Sequence, residues 1–197
     1  MRIDKNDLLL YAVTDRQWLG EASLAEQLEE AIQAGVTVVQ LREKELDFDA
    51  FVSLGKELQA VAKRHRIPFI INDAVDVALA LDADGVHVGQ SDMQAGDVRS
   101  RIGEEKILGV SAHSVEEALA AERNGADYLG VGAIYGTATK PDANTLSIET
   151  LQQICQAVSI PVVGIGGVAV VSAIFAQPGI TAAVKRLRLL AEAMVQP

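Results

Sequence analysis

The sequence predicts a single (β/α)8 barrel, and three observations support that fold class. Short apolar runs without polar alternation, typical of parallel strands covered on both faces, alternate with amphipathic helical patterns. Eight such runs occur in 197 residues, a length that fits one domain. The alternative, a doubly wound nucleotide-binding sheet, is disfavoured because no G-x-G-x-x-G motif follows the first strand.

The eight predicted strands are short runs rich in β-branched residues and bounded by turn residues. They cover residues 8–14, 36–41, 69–71, 85–88, 107–110, 128–131, 162–165 and 169–171. Several joints before a strand share a pattern of small residues, as in Ala34-Gly35-Val36 and Gly125-Ala126-Asp127. The repetition indicates one structural unit, a helix followed by a strand, used again and again along the chain.

Amphipathic patterns predict the helices. Ser23 and Glu26 form a capping-box pattern, and Gly35 is suited to end the helix that follows. Ser114 and Glu117 repeat the capping pattern after the fifth strand, and a short helix is predicted over residues 75–81. Three further apolar faces are predicted, consisting of Phe51, Leu54, Leu58, Val61 and Ala62, of Ile148, Leu151, Cys155 and Val158, and of Val184, Leu187, Ala191 and Met194.

The joint between the last two strands conflicts with ordinary barrel geometry. Only Gly166, Gly167 and Val168 separate the seventh predicted strand from the eighth. Parallel neighbours need a crossover of about a dozen residues or more, usually a helix. Either these strands are wrongly assigned or a segment is absent from the chain.

Composition and charge narrow the function class. With 27 acidic against 17 basic residues, the net charge of −10 argues against a nucleic-acid-binding protein. No apolar run approaches the roughly 18 residues of a membrane span, and the N-terminus lacks the pattern of a signal peptide. The single cysteine, Cys155, excludes an internal disulfide and fits a reducing cytoplasm. The sequence leaves the oligomeric state open.

Polar and charged residues follow six of the predicted strands, at the end where a barrel of this kind carries its chemistry. These segments are residues 40–44, 72–73, 89–92, 111–113, 132–140 and 166–167. Asp73 and Asp92 are suited to a hard cation such as Mg²⁺, which takes oxygen ligands and shares them with substrate phosphates. Together with the basic residues of these segments, they predict a pocket for phosphorylated small molecules.

The phosphate-binding candidates are of three kinds. Arg42 offers a planar fork of donors, and Lys44 and Lys140 add point charges. Ser111, Thr137 and Thr139 supply hydroxyl groups. Gly166 and Gly167 are expected to expose backbone N–H groups near a helix N-terminus, where phosphates bind readily. Two anionic groups with one metal between acidic ligands suggest transfer of a group away from a diphosphate.

Two histidines leave alternatives open. His87 is either a catalytic base or a packed, hydrogen-bonded side chain, and its strand of Val-His-Val-Gly favours packing. His113 follows Ser111 and is expected to lie nearer the mouth of the barrel, with a catalytic role disfavoured.

Taken in order, these segments resemble the thiamine-phosphate synthase family over nearly the whole chain. The motifs that carry the resemblance are "QLREK" (40–44), "ND" (72–73), "DGVHVGQSD" (84–92), "GVSAHS" (109–114), "GADYLGVGAIYGTATKPDA" (125–143), "VVGIGG" (162–167) and "AVVSAIF" (169–175). The resemblance implies a Mg²⁺-dependent transferase of thiamine biosynthesis with a (β/α)8 barrel. It would join 4-amino-5-hydroxymethyl-2-methylpyrimidine diphosphate to a thiazole phosphate and release diphosphate.

The resemblance also implies roles for particular residues. The pyrimidine diphosphate would be held by Gln40, Leu41, Arg42, Glu43, Lys44, Asn72, Ser111 and Lys140, among which Arg42, Lys44, Ser111 and Lys140 form the expected catalytic set. Asp73 and Asp92 would ligate Mg²⁺. The thiazole phosphate would be held by Thr137, Ala138, Thr139, Gly167, Val171 and Ser172. The implied mechanism is dissociative, with diphosphate leaving before the thiazole nitrogen attacks, and no side-chain nucleophile is expected.

Two rivals share the implied fold. One is a thiazole tautomerase-like isomerase, which would not need the complete diphosphate-binding set. The other is a barrel that binds thiazole phosphate without catalysis.

The resemblance finally bears on the joint between the last two strands. Members of the family carry a helix and the start of a strand there, and a true deletion is expected to prevent the barrel from closing. We therefore predict a missing segment, with Val168 and Ala169 separated by a wide gap rather than joined covalently.

Overall fold

The computed structural model describes residues 3–90, 92–134 and 146–195, and within them an eight-stranded parallel barrel surrounded by helices. The strands β1 to β8 are Tyr11–Val13, Val38–Leu41, Phe69–Asn72, Gly85–Val88, Ile107–Ala112, Tyr128–Val131, Val162–Gly164 and Ala169–Val170. The helices α1 to α8 are Leu24–Ala34, Phe48–Arg64, Val75–Ala80, Ala95–Ile102, Val115–Arg123, Ile148–Ala157, Ser172–Phe175 and Ile180–Val195, with a short 3₁₀ helix at Arg16–Trp18. The predicted fold class is confirmed.

The strands pair in the order β7-β6-β5-β4-β3-β2-β1-β8, and the register of the pairs explains how the sheet closes. The pairs that lead round the barrel are Tyr11–Val38, Val39–Phe69, Ile70–Gly85, Gly85–Ile107, Gly109–Tyr128 and Leu129–Val162. Within each strand, the residue that pairs with the preceding strand is offset from the residue that pairs with the next. This offset is one residue in β2, one in β3, none in β4, two in β5 and one in β6. Three more along β7 reach Ile165, which bridges Ala169, the partner of Tyr11. The accumulated stagger is eight residues, the shear of a (β/α)8 barrel.

The local register at the seam between β7 and β8 allows three residues to join the two strands. Ile165, directly after β7, lies level with Ala169 at the start of β8, so the chain moves sideways in a tight turn and needs no crossover. Within the turn, the Gly166 N–H donates to the Ala169 carbonyl at 2.9 Å and the Val168 N–H donates to the Gly164 carbonyl at 3.1 Å. In this fully described segment the expected absence of a helix is confirmed. The Ile165–Ala169 bridge contradicts the expectation that the barrel could not close. The predicted missing segment between Val168 and Ala169 stays a prediction.

Alternate residues of each strand face two different cores. The outward positions pack against the helices in the larger core, which includes Val39, Leu41 and Phe69. The inward positions fill the barrel, where Tyr11, Val38, Ile70, Ile107, Tyr128, Val163 and Ala169 form a second cluster. Ile3 and Leu8, from the segment before β1, belong to this inner cluster. The lower barrel is therefore a packed apolar plug, and space for chemistry remains only above it.

The helix boundaries follow their caps. The Ser23–Glu26 capping box is present before α1, Gly35 ends that helix, and the Ser114 hydroxyl accepts from the Glu117 N–H before α5. The sequence did not predict α4 or α7. The predicted inward face of α6 is confirmed for Leu151 and Val158, which pack against the core. It is wrong for Ile148 and Cys155, which are exposed, and it omits Ile154, which is fully buried. No helix of the described residues is long and apolar enough to cross a membrane.

Candidate active site

Five polar side chains are buried inside the barrel or at its upper rim, where the strands end. Gln40 near the end of β2, Asn72 at the end of β3, His87 in β4 and Ser111 in β5 occupy inward positions. Thr14, directly after β1, is fully buried as well. Buried polar groups are stable only when they are hydrogen-bonded, so these residues define an ordered polar layer above the apolar plug.

Hydrogen bonds link three residues of this layer, Gln40, His87 and Ser111, into one chain across the barrel through two buried tyrosines. The Gln40 Nε2 group donates to the Tyr11 hydroxyl at 2.7 Å, and the Tyr11 and Tyr128 hydroxyls lie 2.7 Å apart. The Tyr128 hydroxyl is 3.0 Å from His87 Nδ1, and His87 Nε2 is 3.0 Å from Ser111 Oγ. His87 is therefore a packed, hydrogen-bonded residue, the reading that its strand pattern favoured. We call the five side chains of this hydrogen-bonded chain, those of Gln40, Tyr11, Tyr128, His87 and Ser111, the barrel relay.

Two glycines make room for the relay. A Cβ atom on Gly109 would lie 2.2 Å from Tyr128 Cζ and 2.5 Å from His87 Nδ1, and one on Gly130 would lie 2.9 Å from His87 Cε1. A glycine inside a strand often marks such a close approach. The inward faces of β5 and β6 therefore carry no side chain at the points where the Tyr128 and His87 rings pass.

Burial determines the protonation of the two tyrosines. Desolvation raises the pKa of Tyr11 well above its usual value, although the hydrogen bond that it accepts from Gln40 opposes the rise. Desolvation also raises the pKa of Tyr128 strongly, and the neighbouring Tyr11 adds to that rise. Both hydroxyls consequently keep their protons at neutral pH, and each can donate one hydrogen bond.

Arg42 lies beyond the end of β2 with its side chain only 12% exposed. Its backbone N–H donates to the Thr14 hydroxyl at 3.2 Å, and its Nη1 lies 3.9 Å from an Asp15 carboxylate oxygen. Its Nε atom is buried and has no hydrogen-bond partner among the described residues. An unsatisfied buried donor costs about 1–3 kcal/mol, so this guanidinium is suited to accept an anionic ligand.

The neighbours of Arg42 in "QLREK" differ in orientation. The Glu43 side chain is 4% exposed, and its carboxylate accepts from Arg16 Nε at 2.7 Å. Leu41 faces outward into the helix-covered core, so its side chain does not reach the mouth of the barrel. Lys44 is exposed. Of the five predicted residues, Gln40, Arg42 and Lys44 therefore remain as side-chain candidates, whereas Glu43 fixes the loop through Arg16.

The two predicted metal ligands follow neighbouring strands. Asp73 comes directly after β3, with a backbone φ of +60°, and its carboxylate accepts a hydrogen bond from Asn72 Nδ2. Asp92 follows β4, and its Oδ2 accepts from the Gly89 N–H at 2.7 Å. Both residues are exposed. No group of three or more metal-ligating side chains occurs in the described parts of the chain.

This donor set is compatible with Mg²⁺. The ion is typically bound through one or two carboxylates, together with water and substrate phosphates, and seldom by a complete protein cage. Asp73 and Asp92 would supply the carboxylate oxygens, and a diphosphate would supply others. The Asn72 amide and the Gly89 N–H restrain the two carboxylates on the mouth side of the barrel.

Three of the predicted thiazole-phosphate residues, Gly167, Val171 and Ser172, lie at the seam between β7 and β8. Val171 and Ser172 directly follow β8 at the start of α7. Gly167 lies in the β7–β8 turn, where its N–H donates to the Gly164 carbonyl at 3.1 Å. The expectation that Gly166 and Gly167 expose N–H groups near a helix N-terminus is therefore wrong, because the turn itself uses both groups. Thr137, Ala138, Thr139 and Lys140 lie outside the described residues.

The remaining histidine candidate is a rim residue. The His113 backbone N–H donates to Glu117 Oε2 at 2.7 Å, and its ring Nδ1 lies 3.2 Å from the same oxygen. Its side chain is 48% exposed. His113 therefore supports the start of α5, and no hydrogen bond found within the described ranges joins it to Gln40, Tyr11, Tyr128, His87 or Ser111.

Sequence reasoning missed Tyr11 and Tyr128, the two central members of the relay. The available signal was strand alternation, since Tyr128 and Gly130 share one face of β6 and Tyr11 shares the face of Ala169 and Val38. It also missed Arg16 and Asp15, which pair with Glu43 and Arg42. No strand pattern marks these two loop residues.

Comparisons with known proteins agree with this geometry. A family model described as thiamine monophosphate synthase matches residues 10–175. The thiamine-phosphate synthase of Clostridium acetobutylicum is 57% identical over 162 residues, covering 82% of this chain and 77% of that protein. The thiamine-phosphate synthase of Clostridium beijerinckii is 49% identical over 200 residues, covering 93% and 96%. Among solved structures, a thiamine phosphate pyrophosphorylase from Pyrococcus furiosus matches with a TM-score of 0.86 and 34% identity, covering 97% of this chain and 98% of that one.

The alignment lengths also bear on the short β7–β8 joint. The Clostridium beijerinckii alignment spans 200 positions but covers 93% of this 197-residue chain, which is about 183 residues. About 17 aligned positions therefore have no residue of this chain opposite them. That surplus is of the size expected for one crossover helix and its flanking loops. Its position along the chain stays a prediction.

Proposed function

Because this chain belongs to the thiamine monophosphate synthase family, we propose that it is a Mg²⁺-dependent transferase that couples two phosphorylated precursors. The substrates are 4-amino-5-hydroxymethyl-2-methylpyrimidine diphosphate and a thiazole phosphate, and the second product is diphosphate. The observation that carries the proposal is the buried Arg42 Nε–H at the barrel mouth, a donor that no residue in the described ranges pairs with. It lies at the end of a barrel that also presents Ser111, Asp73 and Asp92.

The proposed mechanism begins with departure of the diphosphate. Negative charge grows on the leaving oxygens, and donors that are already oriented stabilise it without reorganising. Arg42 supplies its guanidinium, Ser111 supplies its hydroxyl, and Lys44 adds a positive charge. Lys140, outside the described residues, is proposed as a further diphosphate contact. The thiazole nitrogen then attacks the pyrimidine methylene carbon, which the pocket aligns with it.

The metal and the polar neighbours have supporting roles in this proposal. Asp73 and Asp92 hold Mg²⁺, which would neutralise part of the charge on the diphosphate when it is bound. Asn72, whose amide already donates to the Asp73 carboxylate, orients that ligand. Gln40 contacts the pyrimidine side of the pocket. No side-chain nucleophile is required, because bond breaking produces the electrophile.

The thiazole phosphate is proposed to bind between the end of β8 and the segment that follows β6. Val171 and Ser172 lie at the end of β8, and Thr137, Ala138 and Thr139 come from the segment outside the described residues. Gly167 contributes shape only, since its N–H donates within the turn. We also propose that the protein acts in the cytoplasm, where its single exposed thiol, Cys155, would stay reduced.

A coupled assay tests the proposed function. The purified protein is supplied with both substrates and Mg²⁺, and formation of thiamine phosphate and release of diphosphate are followed together. Equal amounts of the two products are expected, and chelation of the metal should abolish both. Isomerised thiazole phosphate without diphosphate, or binding of both substrates without turnover, would contradict the proposal.

Matched variants locate the reaction. Asp92→Ala and Lys140→Ala are expected to abolish turnover while the circular dichroism spectrum stays that of the wild type. Asp97→Ala, which removes an exposed carboxylate from the first turn of α4, is the control for lost negative charge. Folded Asp92→Ala or Lys140→Ala protein with near-wild-type activity would refute the assigned sites.

A further inference from the structure

The barrel relay contains three side chains for which the proposed reaction has no direct use. Tyr11, Tyr128 and His87 are buried beneath the mouth, with exposures of 2%, 0% and 6%. They connect Gln40, on one side of the barrel, to Ser111, on the other. An entirely apolar core would be the simpler way to fill this space. Burying the two tyrosine hydroxyls and the two ring nitrogens of His87 costs free energy, and that cost calls for a reason.

Donor counting fixes the direction of the hydrogen bonds. The Gln40 Nε2 group can only donate, so the Tyr11 oxygen accepts from it. Tyr11 then has one proton left to donate, and the neighbouring acceptor is the Tyr128 oxygen, 2.7 Å away. Tyr128 likewise donates its single proton to His87 Nδ1. Both tyrosines keep these protons at neutral pH because burial raises their pKa values.

The same direction, continued through His87, determines which ring nitrogen carries the proton and which way the Ser111 hydroxyl can donate. A neutral imidazole that accepts at Nδ1 carries its proton on Nε2. The Nε2–H group then donates to Ser111 Oγ, 3.0 Å away. With its oxygen accepting from His87, Ser111 has its own O–H free for another partner. The Gln90 amide, which donates to the Ser111 carbonyl at 2.6 Å, restrains the backbone at that point.

We propose that Tyr11, Tyr128 and His87 are positioning residues that hold His87 as the Nε2–H tautomer and so make Ser111 an obligate hydrogen-bond donor toward the diphosphate. The inference rests on the proposed function for the identity of the anion, and the tautomer rests on the orientation of the Gln40 amide, whose Nε2 group faces the Tyr11 hydroxyl. A phosphate oxygen accepts hydrogen bonds and donates none. A serine whose proton were directed at His87 would present only lone pairs to that oxygen and would repel it.

The opposite direction is a distinct alternative with a distinct signature. If the Gln40 amide were rotated so that its oxygen faced Tyr11, every bond would reverse. His87 would then carry its proton on Nδ1, and the Ser111 hydroxyl would donate to Nε2. The two directions therefore differ in one observable, the protonated nitrogen of a single imidazole ring.

Nitrogen NMR of the substrate-free protein distinguishes them. The chain has three histidines, so ¹⁵N-labelled wild type compared with His65→Gln and His113→Gln variants assigns the His87 ring. A protonated Nε2 and an unprotonated Nδ1 are expected for His87. A protonated Nδ1, or a doubly protonated ring at neutral pH, would overturn the proposal. This result does not depend on turnover, so it stands or falls separately from the proposed activity.

Two matched variants then separate positioning from simple packing. Tyr128→Phe removes the proton that fixes Nδ1 as an acceptor, so the His87 signals should shift to a mixture of tautomers. Its kcat for diphosphate release should fall about 10- to 100-fold, the usual effect of losing a supporting partner of a reacting group, with little change in KM. Tyr11→Phe removes a buried hydroxyl from the same chain but leaves the Tyr128 proton on its acceptor.

The expected difference between these variants is the decisive result. Tyr11→Phe should keep the Nε2–H tautomer and lose less kcat than Tyr128→Phe, although both lose one buried hydroxyl. Equal losses in kcat with unchanged His87 signals would mean that the tyrosines only fill the barrel, and would overturn the proposal. If neither wild type nor variants release diphosphate, the proposed function fails, and the nitrogen spectra still decide the direction of the relay.

Discussion

The two sides of this barrel are built differently. From β2 to β6, every strand is joined to the next by at least one helix. These strands carry four of the five relay residues, and Arg42 and the two aspartates follow their ends. At the seam between β7 and β8, a three-residue turn replaces the crossover, and the strands share one bridge. We call the part from β2 to β6 the complete side, because a helix follows each strand. We call the three-residue connection between β7 and β8 the seam.

The difference teaches how a parallel barrel tolerates a missing crossover. The rule that parallel neighbours need a long connection assumes that they overlap along most of their length. At this seam the local register brings the end of one strand level with the start of the next. The turn uses the Gly166 and Gly167 N–H groups, so closing the barrel in this way removes donors that a phosphate could otherwise bind.

The largest expected effect tests whether the complete side carries the diphosphate chemistry. Arg42→Ala should lower turnover by about 10²–10³-fold, the usual loss when one donor to a developing negative charge is removed. Steady-state kinetics measures the loss. Arg64→Ala, at the exposed end of α2, is the control for a missing arginine. A folded Arg42→Ala protein with wild-type kcat would move the chemistry away from this side.

The next effect tests whether the complete side depends on the space beside the relay. Gly109→Ala places a methyl group 2.2 Å from Tyr128 Cζ, so the ring must move, and overpacking of this kind costs about 1–3 kcal/mol. Urea unfolding measures the change in the free energy of unfolding. Gly20→Ala is the matched control, because no atom lies within 4 Å of the added carbon. Equal stabilities of the two variants would show that the relay is loosely packed.

A smaller effect tests the strain of the seam. Gly166 has a φ of +82°, and a residue with a side chain in the left-handed region costs about 1–2 kcal/mol. Gly166→Ala should lose about that much stability in urea unfolding. Gly167→Ala should lose less, since its added carbon would lie 3.3 Å from the Gly164 carbonyl oxygen and needs only a small shift. An unchanged midpoint for Gly166→Ala would mean that the turn can rearrange.

The smallest effect concerns the helices that cover the complete side. Glu29 in α1 is hydrogen-bonded to His65, to Gln33 and to Arg64, in that order of importance, and these bonds lower its pKa from 4.5 to about 2. A carboxylate with a lowered folded pKa contributes stability above its unfolded pKa, and that contribution is lost as the pH falls from about 4.5 toward 2. Wild type should therefore lose more stability than Glu29→Gln between pH 5 and pH 3, measured by urea unfolding. Parallel curves for the two proteins would contradict this assignment.

Much of the site could be predicted because strand ends are visible in the sequence. In a parallel barrel all strands end at the same face, so the residues after each apolar run must converge. Arg42, Asn72, Asp73 and Ser111 were found on this basis and lie at that face. The direction in which individual side chains point was harder to predict from the sequence. Leu41 faces outward and Glu43 is held by Arg16, because alternation along the strand and a neighbouring loop decide orientation.

The sequence by itself determined the fold class, the capped helices and the family, because apolar periodicity, caps and ordered motifs are local properties of the chain. Only the tertiary structure decided three other matters. It showed that β7 and β8 join through a short turn, that Ile154 replaces Cys155 on the buried face of α6, and that five distant side chains form one relay. Each depends on register or stagger accumulated over the whole barrel, and no local pattern records that sum.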